Sequence, residues 1–238
     1  MEKKRRRLTP AMATEWAQMA HALYLEALMS QADWGAGEIA FHGGTSLRLS
    51  WNSSRYSEDL DFLLSRDAGN LDKVSRKVAA AIGEMARRVD ARFVISMQDK
   101  TRDESRMATY LITVSHPDYT GSARIKAEFW RTQPAYLGQY PTQLRTPQAR
   151  AASPDSYALT AHPVPAATLE TAYADKLVAF ATRPYVKWRD LYDLWWIGTQ
   201  TAAKLEMRSL CKQFLHNLGA YSTLQGLPPA QALALFLE

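Results

Sequence analysis

Two aspartates that lie two residues apart, Asp59 and Asp61, are the residues of this sequence best suited to chemistry. They open an apolar run through Phe62, Leu63 and Leu64 that is typical of a buried strand. Residues two apart on a strand project from the same face, so the two carboxylates would lie side by side. Carboxylates this close repel each other unless a proton or a divalent cation lies between them. Hard oxygen ligands of this kind suit Mg²⁺, which proteins hold through one or two carboxylates together with phosphate oxygens.

A glycine-rich turn precedes the two aspartates. Residues 39–41 predict the end of a buried strand, and the turn that follows consists of Gly43, Gly44, Thr45 and Ser46. Two glycines let the backbone turn sharply and approach a ligand closely. Residues 46–49 have the pattern of a short helix, and the backbone N–H groups at a helix start favour an anion such as a phosphate. The turn is not a P-loop, because no Gly-Lys-Ser/Thr follows the glycines.

The segment Ala123 to Trp130 alternates charged and apolar residues, which predicts another strand. Its charged face carries Arg124, Lys126 and Glu128. Two interpretations stay open. In a central strand these charges would line a site, and Glu128 would be a third metal ligand beside the aspartate pair. In an edge strand the same face would simply lie in solvent.

In combination, these motifs resemble the minimal nucleotidyltransferase core of the polymerase-β type. The fuller pattern, GGTSL followed by R-x-S-E-D-L-D-F, resembles one family within it, the AbiEii/AbiGii-type toxin nucleotidyltransferases of abortive-infection and toxin–antitoxin systems. A lone GGTS is often an ordinary turn and a lone DLD an ordinary strand edge, but their order and flanking strands make the combination more specific. One position departs from the family, since His42 stands where relatives often have a lysine. The resemblance implies nucleotide binding by Gly43, Gly44, Thr45, Ser46, Arg55 and Ser57.

A second constellation that matches the family lies between Ala166 and Ile197. The pattern E-x₅-K-L-x-A-x₃-R followed by RDLYDL matches the family's downstream motifs at Glu170, Lys176, Arg183, Arg189, Asp190 and Asp193. By that resemblance Lys176 and Asp190 are catalytic. Lys176 would neutralise the charge that grows on pyrophosphate, and Asp190 would accept the acceptor's proton or orient Lys176. Taken alone, Lys176 is more typical of a surface lysine, and Asp190 is compatible with a simple helix cap.

The resemblance implies a magnesium-dependent nucleotidyltransferase that acts as the toxin of a toxin–antitoxin or abortive-infection system. An acceptor hydroxyl would attack the α-phosphate of a nucleoside triphosphate, with Asp59, Asp61 and Glu128 as metal ligands, and pyrophosphate would leave. The family points to RNA, especially tRNA, as the acceptor and to a separately encoded antitoxin. Two alternatives stay open: an enzyme that nucleotidylates or phosphorylates a protein, and a catalytically inactive nucleotide-binding module.

Two halves must position these motifs. The alternating helical and extended patterns predict an α+β fold, in which a nucleotidyltransferase-type mixed sheet flanked by helices is followed by a helical C-terminal half. We expect the α/β half over residues 1–133, a proline-rich connection over 134–165, and a helical half over 166–238 that completes the active site. The site would lie in the cleft between the halves.

The helical half contains aromatic residues for which no chemistry is needed. We assign Trp188, Tyr192, Trp195 and Trp196 to the core between helices, with base stacking on one of them as the less favoured alternative. The tail from Ala202 onward is amphipathic, and Pro228-Pro229 would begin a last helix. We identify no chemistry in this tail.

The composition excludes several classes of protein. The 238 residues are 47% apolar and 22% charged, which is typical of a globular protein and not of a disordered one. The single cysteine, Cys211, excludes an internal disulfide framework and a cysteine-based zinc site, and it suits a reducing cytoplasm. We expect no membrane partner, because no apolar run approaches the length of a membrane span. The net charge of +5 is compatible with a phosphate-bearing partner. The basic run 3–7 is either a solvated terminus, which we favour, or an arm that contacts nucleic acid.

Overall fold

The computed structural model describes residues 5–148, 161–183, 185–203 and 205–219. Within these ranges the helices and strands are, in chain order, β1 (Arg6–Arg7), α1 (Pro10–Ser30), β2 (Ile39–His42), α2 (Gly43–Trp51), β3 (Asp59–Ser65), α3 (Leu71–Val89), β4 (Val94–Asp99), β5 (Met107–Ser115), β6 (Tyr119–Thr120), β7 (Ala123–Thr132), α4 (Pro134–Leu137), β8 (Thr142–Arg145), β9 (Val164–Ala167), α5 (Leu169–Thr182), α6 (Trp188–Gly198) and α7 (Met207–Leu218). The predicted α+β fold with a mixed sheet is confirmed. No helix in these ranges is both long and apolar enough to cross a bilayer.

A seven-stranded mixed sheet organises the fold, with the strand order β4-β5-β7-β3-β2-β9-β8. β3 pairs antiparallel with β2 and parallel with β7. In this register Asp61 lies opposite His42 on one side and opposite Glu128 on the other. Because β7 lies between β5 and β3, it is a central strand, and the edge-strand interpretation of its charged face is wrong.

The main hydrophobic core packs against the face of the sheet opposite the charged face of β7. Alternate residues of β3 and β7, among them Phe62 and Phe129, are fully buried there against α1 and α3. The ring of Phe62 stacks on Phe41 at 5.1 Å and on Phe129 at 4.8 Å between centroids. Burying each such side chain contributes roughly 1.5–3 kcal/mol. Since side chains alternate along a strand, this core fixes Asp59, Asp61 and Glu128 on the other face.

Local capping signals decide where three of the helices begin. The side chains of Thr9, Asn70 and Thr168 accept hydrogen bonds from the backbone N–H three residues later, at the starts of α1, α3 and α5. Such caps stabilise a helix by about 1 kcal/mol. Pro10 also occupies the first helical position of α1, where it lacks only an N–H that would be unpaired in any case.

The proline-rich segment contains more regular structure than the sequence pattern predicts. It includes α4, β8 and the start of β9, and β9 joins the sheet beside β2 through Phe41 and Ala166. Pro165 lies inside β9, and a proline within a run of residues argues against a strand. The proposed domain limits at 133 and 166 stay a prediction.

The core assignment of two tryptophans is wrong. Trp188 and Trp195 are 79% and 63% exposed, although both lie on α6. The helix turns Asp190 and Asp193 into the protein instead, and both are buried. Tyr192 and Trp196 are partly buried, and of these Trp196 packs against a core cluster.

The chain termini are described only in part. Arg6 and Arg7 are exposed, as a solvated terminus requires, but they form a short parallel pairing with Tyr119 and Thr120. Lys3 and Lys4, and the helix predicted after Pro228-Pro229, lie outside the described residues.

Candidate active site

A cleft of about 290 Å³ lies between the polar face of the sheet and the helices α5 and α6. Thr45 and Ser46 do not line it, although the sequence analysis grouped them with residues that do. The predicted site residues that line this cleft are Gly43, Gly44, Arg55, Ser57, Asp59, Asp61, Glu128, Lys176 and Asp190.

The two glycines allow the start of α2 to approach the aspartates and the loop after α2. Gly43 has a φ of +78°, which lies in the left-handed region that favours glycine, and a Cβ there would overlap the carboxylate of Asp61. A Cβ at Gly44 would overlap the guanidinium of Arg55 and would lie 2.8 Å from Oγ of Ser57. The GGTS turn and the R-x-S-E-D-L-D motif therefore interlock.

The hydroxyl groups of Thr45 and Ser46 serve the scaffold. Thr45 donates to the backbone carbonyl of Asp59, and Ser46 donates to that of Phe41 at 3.1 Å. Both side chains are buried, so they hold the first turn of α2 against β2 and β3. A contribution of these residues to a phosphate site would therefore come from backbone N–H groups, which have no partner inside the helix at its first turn.

Three carboxylates from β3 and β7, Asp59, Asp61 and Glu128, form what we call the sheet-side group. Nζ of Lys126 lies 3.4 Å from Oδ1 of Asp59 and 3.2 Å from Oε1 of Glu128. Burial raises the pKa of Asp61; the charge of His42 lowers it, and that of Asp59 raises it further. Burial lowers the pKa of Lys126, but the charges of Asp59 and Glu128 outweigh this effect and raise it.

The sheet-side group suits a cation that shares its ligands with a substrate. Among the residues described, no three acidic, histidine or cysteine side chains converge closely enough to form a complete metal cage. The ammonium of Lys126, however, already bridges Asp59 and Glu128 from the solvent side. A cation bound there by one or two carboxylates would have positions left for phosphate oxygens, which is how Mg²⁺ usually binds in proteins.

On the other side of the cleft, Arg55, Lys176, Arg183, Asp190 and Asp193 form the helix-side cluster. Nζ of Lys176 lies 3.2 Å from Oδ1 of Asp190 and 2.7 Å from Oδ2 of Asp193. Arg55 donates two hydrogen bonds of 2.7 Å to the carboxylate of Asp193, and Arg183 is paired with Asp190. Both aspartates are almost fully buried. Each of these buried charges has two partners of opposite sign, which compensate the cost of removing it from water.

The helix-side cluster keeps its charges by mutual pairing. Burial lowers the pKa of Lys176, and the charge of Asp193 partly offsets this effect. Burial raises the pKa of Asp193, but the hydrogen bonds from Arg55 and the charge of Lys176 outweigh it and hold the pKa below its usual value. Because the side chain of Lys176 is only 11% exposed, its interpretation as a surface lysine is wrong. Since its carboxylate pairs with two cations, Asp190 is not merely a helix cap.

A hydrogen-bonded group beside the cleft consists of Asp175, Tyr140 and Asn217, none of which the sequence indicated as a site residue. Asp175 faces His42, with Nδ1 of His42 3.7 Å from its Oδ2, and it also accepts a hydrogen bond from Tyr140. Asn217 of α7 donates to Oδ1 of Asp175 at 2.8 Å and to the carbonyl of Thr171 at 3.1 Å. The only sequence signal for Asp175 was its place next to Lys176, and Asn217 gave none. The tail therefore contributes a cleft residue.

Comparisons with known proteins show which proteins this chain is similar to. A family model described as nucleotidyl transferase AbiEii toxin, type IV TA system, matches residues 24–235. Among solved structures, the chain is similar to MenT4, the nucleotidyltransferase toxin Rv2826c from Mycobacterium tuberculosis H37Rv, with 25% identity and a TM-score of 0.63. That match covers 88% of this chain and 66% of MenT4, so the chain spans less than two thirds of that protein's length. No curated protein matches the chain.

Two further structures are similar in fold alone. JHP933 from Helicobacter pylori is 16% identical with a TM-score of 0.55, and the match covers 97% of this chain and 90% of that one. A putative nucleotidyltransferase from H. pylori is 18% identical with a TM-score of 0.51, with coverages of 94% and 92%.

Proposed function

This chain belongs to the AbiEii family of nucleotidyl transferase toxins of type IV toxin–antitoxin systems, and from that membership we propose a Mg²⁺-dependent transfer of a nucleotide to RNA. The donor is a nucleoside triphosphate, the acceptor is an RNA hydroxyl, preferably of tRNA, and pyrophosphate leaves. A separately encoded antitoxin counteracts the toxin. The observation that carries the proposal is a single cleft with an acidic group on the sheet side and a cationic cluster on the helix side.

The sheet-side group would hold the metal. Asp59 and Asp61 project from one face of β3, and Glu128 lies beside Asp61 in the neighbouring strand. When bound there, Mg²⁺ supplies charge stabilisation for the attacking and leaving oxygens of the phosphoryl centre. The carboxylate of Asp61 is partly buried and lies directly against Gly43, where a Cβ would overlap it, so only a glycine at position 43 accommodates this position of Asp61.

The helix-side cluster and the start of α2 would bind the triphosphate. With Arg55, Lys176 and Arg183 against Asp190 and Asp193, the cluster has three cations and two anions and so a net charge of +1. Lys176 is fixed between two carboxylates, which suits a group that must meet growing negative charge without reorganising. The N–H groups of the first turn of α2 face the same cleft through Gly43 and Gly44.

Asp190 we assign to orienting Lys176. Its carboxylate is 1% exposed and pairs with Lys176 and Arg183, so no oxygen of it is open to an acceptor hydroxyl. The alternative role of proton acceptor would require both ion pairs to open. Losing a partner of a buried ion pair typically costs about 3–5 kcal/mol, so we favour the orienting role.

A labelling experiment tests the proposal. The protein is incubated with total cellular RNA, Mg²⁺ and each of the four nucleoside triphosphates, labelled either at the α- or at the γ-phosphate. We expect RNA to be labelled from the α-phosphate of at least one triphosphate and not from any γ-phosphate. The Asp61→Asn variant is the control and should label nothing. Label that appears in protein would contradict an RNA acceptor, and label from the γ-phosphate would contradict nucleotidyl transfer.

A further inference from the structure

The outer face of α6 carries an aromatic ridge, which we define as Trp188, Tyr192 and Trp195. Their spacing of four and three residues places them on one side of the helix, opposite Asp190 and Asp193. Trp188 and Trp195 are largely exposed, and the ring centroids of Tyr192 and Trp195 lie 5.6 Å apart. Large aromatic side chains that share one exposed face form an apolar patch on the surface. Such patches mark sites at which a partner or ligand binds.

The ridge begins at the rim of the active-site cleft. Arg189, the neighbour of Trp188, lines the cleft, as does Arg183 at the end of α5. The hydroxyl of Tyr192 lies 2.9 Å from Oγ of Ser54. Ser54 is followed by Arg55, and Arg55 lines the cleft. A ligand that leaves the cleft on this side would therefore pass Trp188 first. With a rise of 1.5 Å per residue, Trp195 lies about 10 Å further along the helix, which is the span of a few nucleotides.

The charges beside the ridge select a polyanion. In the described residues between 181 and 203, Asp190 and Asp193 are the acidic side chains, and both are buried and paired. The remaining charges there, Arg183, Lys187 and Arg189, are positive. Aromatic faces on which bases stack, interleaved with cations that follow a phosphate backbone, are the two components of surfaces that bind single-stranded nucleic acid.

We propose that the aromatic ridge is a stacking platform for a single-stranded stretch of the nucleic-acid acceptor, next to the hydroxyl that receives the nucleotide. Bases stack on Trp188 and Trp195, while Lys187 and Arg189 contact the phosphates. The inference rests on the proposed transfer to RNA and deepens it, because it requires an unpaired acceptor segment instead of a duplex or a protein.

The test measures binding of a fluorescein-labelled single-stranded RNA of about twelve nucleotides, within the site sizes of known single-strand binders. The same RNA annealed to its complement is the ligand control, because its bases are not available for stacking. We expect Trp188→Ala and Trp195→Ala each to weaken binding of the single strand by about 5- to 150-fold. Trp188→Phe, which keeps an aromatic face, should retain most of the affinity. Val94→Ala, an exposed position on the edge strand β4, is the matched control and should bind as the wild type does.

Four outcomes would contradict the proposal that the ridge stacks bases. The wild type does not bind the single strand, or the alanine variants bind it as the wild type does. The single strand and the duplex bind equally well, or Trp188→Leu retains full affinity. The last result would indicate an apolar docking surface for a protein. Failure of the proposed function looks different: the wild type would bind the strand through Trp188 and yet transfer no α-label to RNA.

Discussion

The two walls of the cleft treat charge in opposite ways. The sheet-side group places three carboxylates beside one partly exposed lysine, Lys126, so its negative charge is not fully compensated. The helix-side cluster pairs each of its two buried aspartates with two cations. The first wall is arranged for a cation that arrives from solution, whereas the second holds its cations in fixed positions through ion pairs within the protein.

This difference predicts which substitutions affect activity and which affect stability. Neutralising a sheet-side carboxylate removes repulsion and desolvation cost, so it should harm the chemistry and spare the fold. Removing a helix-side aspartate leaves buried cations without partners, so it should harm the fold first.

We expect Asp61→Asn to lower the rate of nucleotidyl transfer by at least about 1000-fold, because the metal would lose a ligand. The free energy of unfolding should stay the same or rise, since the raised pKa of Asp61 shows that burial disfavours its charge. Rates come from transfer of α-label and stability from urea unfolding. Asp67→Asn, at an exposed aspartate just past β3, is the matched control. Near-normal transfer by Asp61→Asn would contradict the assignment of Asp61 as a metal ligand.

For the opposite wall, Asp193→Ala should reduce the free energy of unfolding by about 3–5 kcal/mol, because Arg55 and Lys176 lose a buried partner. Arg88→Ala is the control, since its pair with Glu84 is exposed and should contribute at most about 0.5 kcal/mol. Urea denaturation of both variants measures the difference. A fully stable Asp193→Ala protein would contradict the claim that this cluster supports the fold.

The contact between His21 and the residue before strand β3 can be tested through the pH dependence of stability. His21 is buried in α1 and lies 2.7 Å from the carbonyl oxygen of Glu58, the residue before Asp59. Burial lowers the pKa of His21 from 6.5 to about 4. In the unfolded chain the histidine takes up a proton near pH 6.5, while in the folded protein it stays neutral. Stability is therefore complete above pH 6.5 and falls by about 1.4 kcal/mol for each pH unit between 6.5 and 4.

His21→Gln, which cannot titrate, should lose this part of the acid dependence. Urea unfolding of the wild type and the variant at pH 7.5 and pH 5 gives the comparison. Equal changes in both proteins between the two pH values would show that His21 is not the group responsible.

A weaker effect is expected at Lys126, whose ammonium lies 3.4 Å from Asp59 and 3.2 Å from Glu128. Lys126→Met should lower the Mg²⁺ concentration for half-maximal transfer by about 1.4- to fivefold, because an exposed ion pair contributes about 0.2–1 kcal/mol. Lys126→Arg keeps the charge and is the control. If the Met variant needs more Mg²⁺ than the wild type, Lys126 assists metal binding and does not compete with it.

The sequence predicted the local parts of the site better than its long-range parts. The strand that carries Asp59 and Asp61, the glycine turn and the helices that carry Lys176 and Asp190 follow from residue patterns over short distances. The pairing of Arg55 with Asp193 joins residues 138 positions apart, and nothing local indicates it.

The tryptophans of α6 illustrate the same limit. Hydrophobicity alone predicts that Trp188 and Trp195 are buried and that Asp190 and Asp193 are exposed. The helix faces the other way because Arg55, Lys176 and Arg183 satisfy the two buried carboxylates. Burial of a charged residue can be predicted only when its partners are known, and these come from other elements.

A titration of Mn²⁺, as a spectroscopic substitute for Mg²⁺, tests the contrast between the two walls most directly. Bound Mn²⁺ is measured by electron paramagnetic resonance in the presence of a nonhydrolysable triphosphate, for the wild type, Asp61→Asn and Asp67→Asn. We predict that the wild type and Asp67→Asn bind Mn²⁺ together with the nucleotide, and that Asp61→Asn binds it at least about tenfold more weakly at unchanged stability. Equal Mn²⁺ affinity in all three proteins would contradict the assignment of the sheet-side group as the metal site.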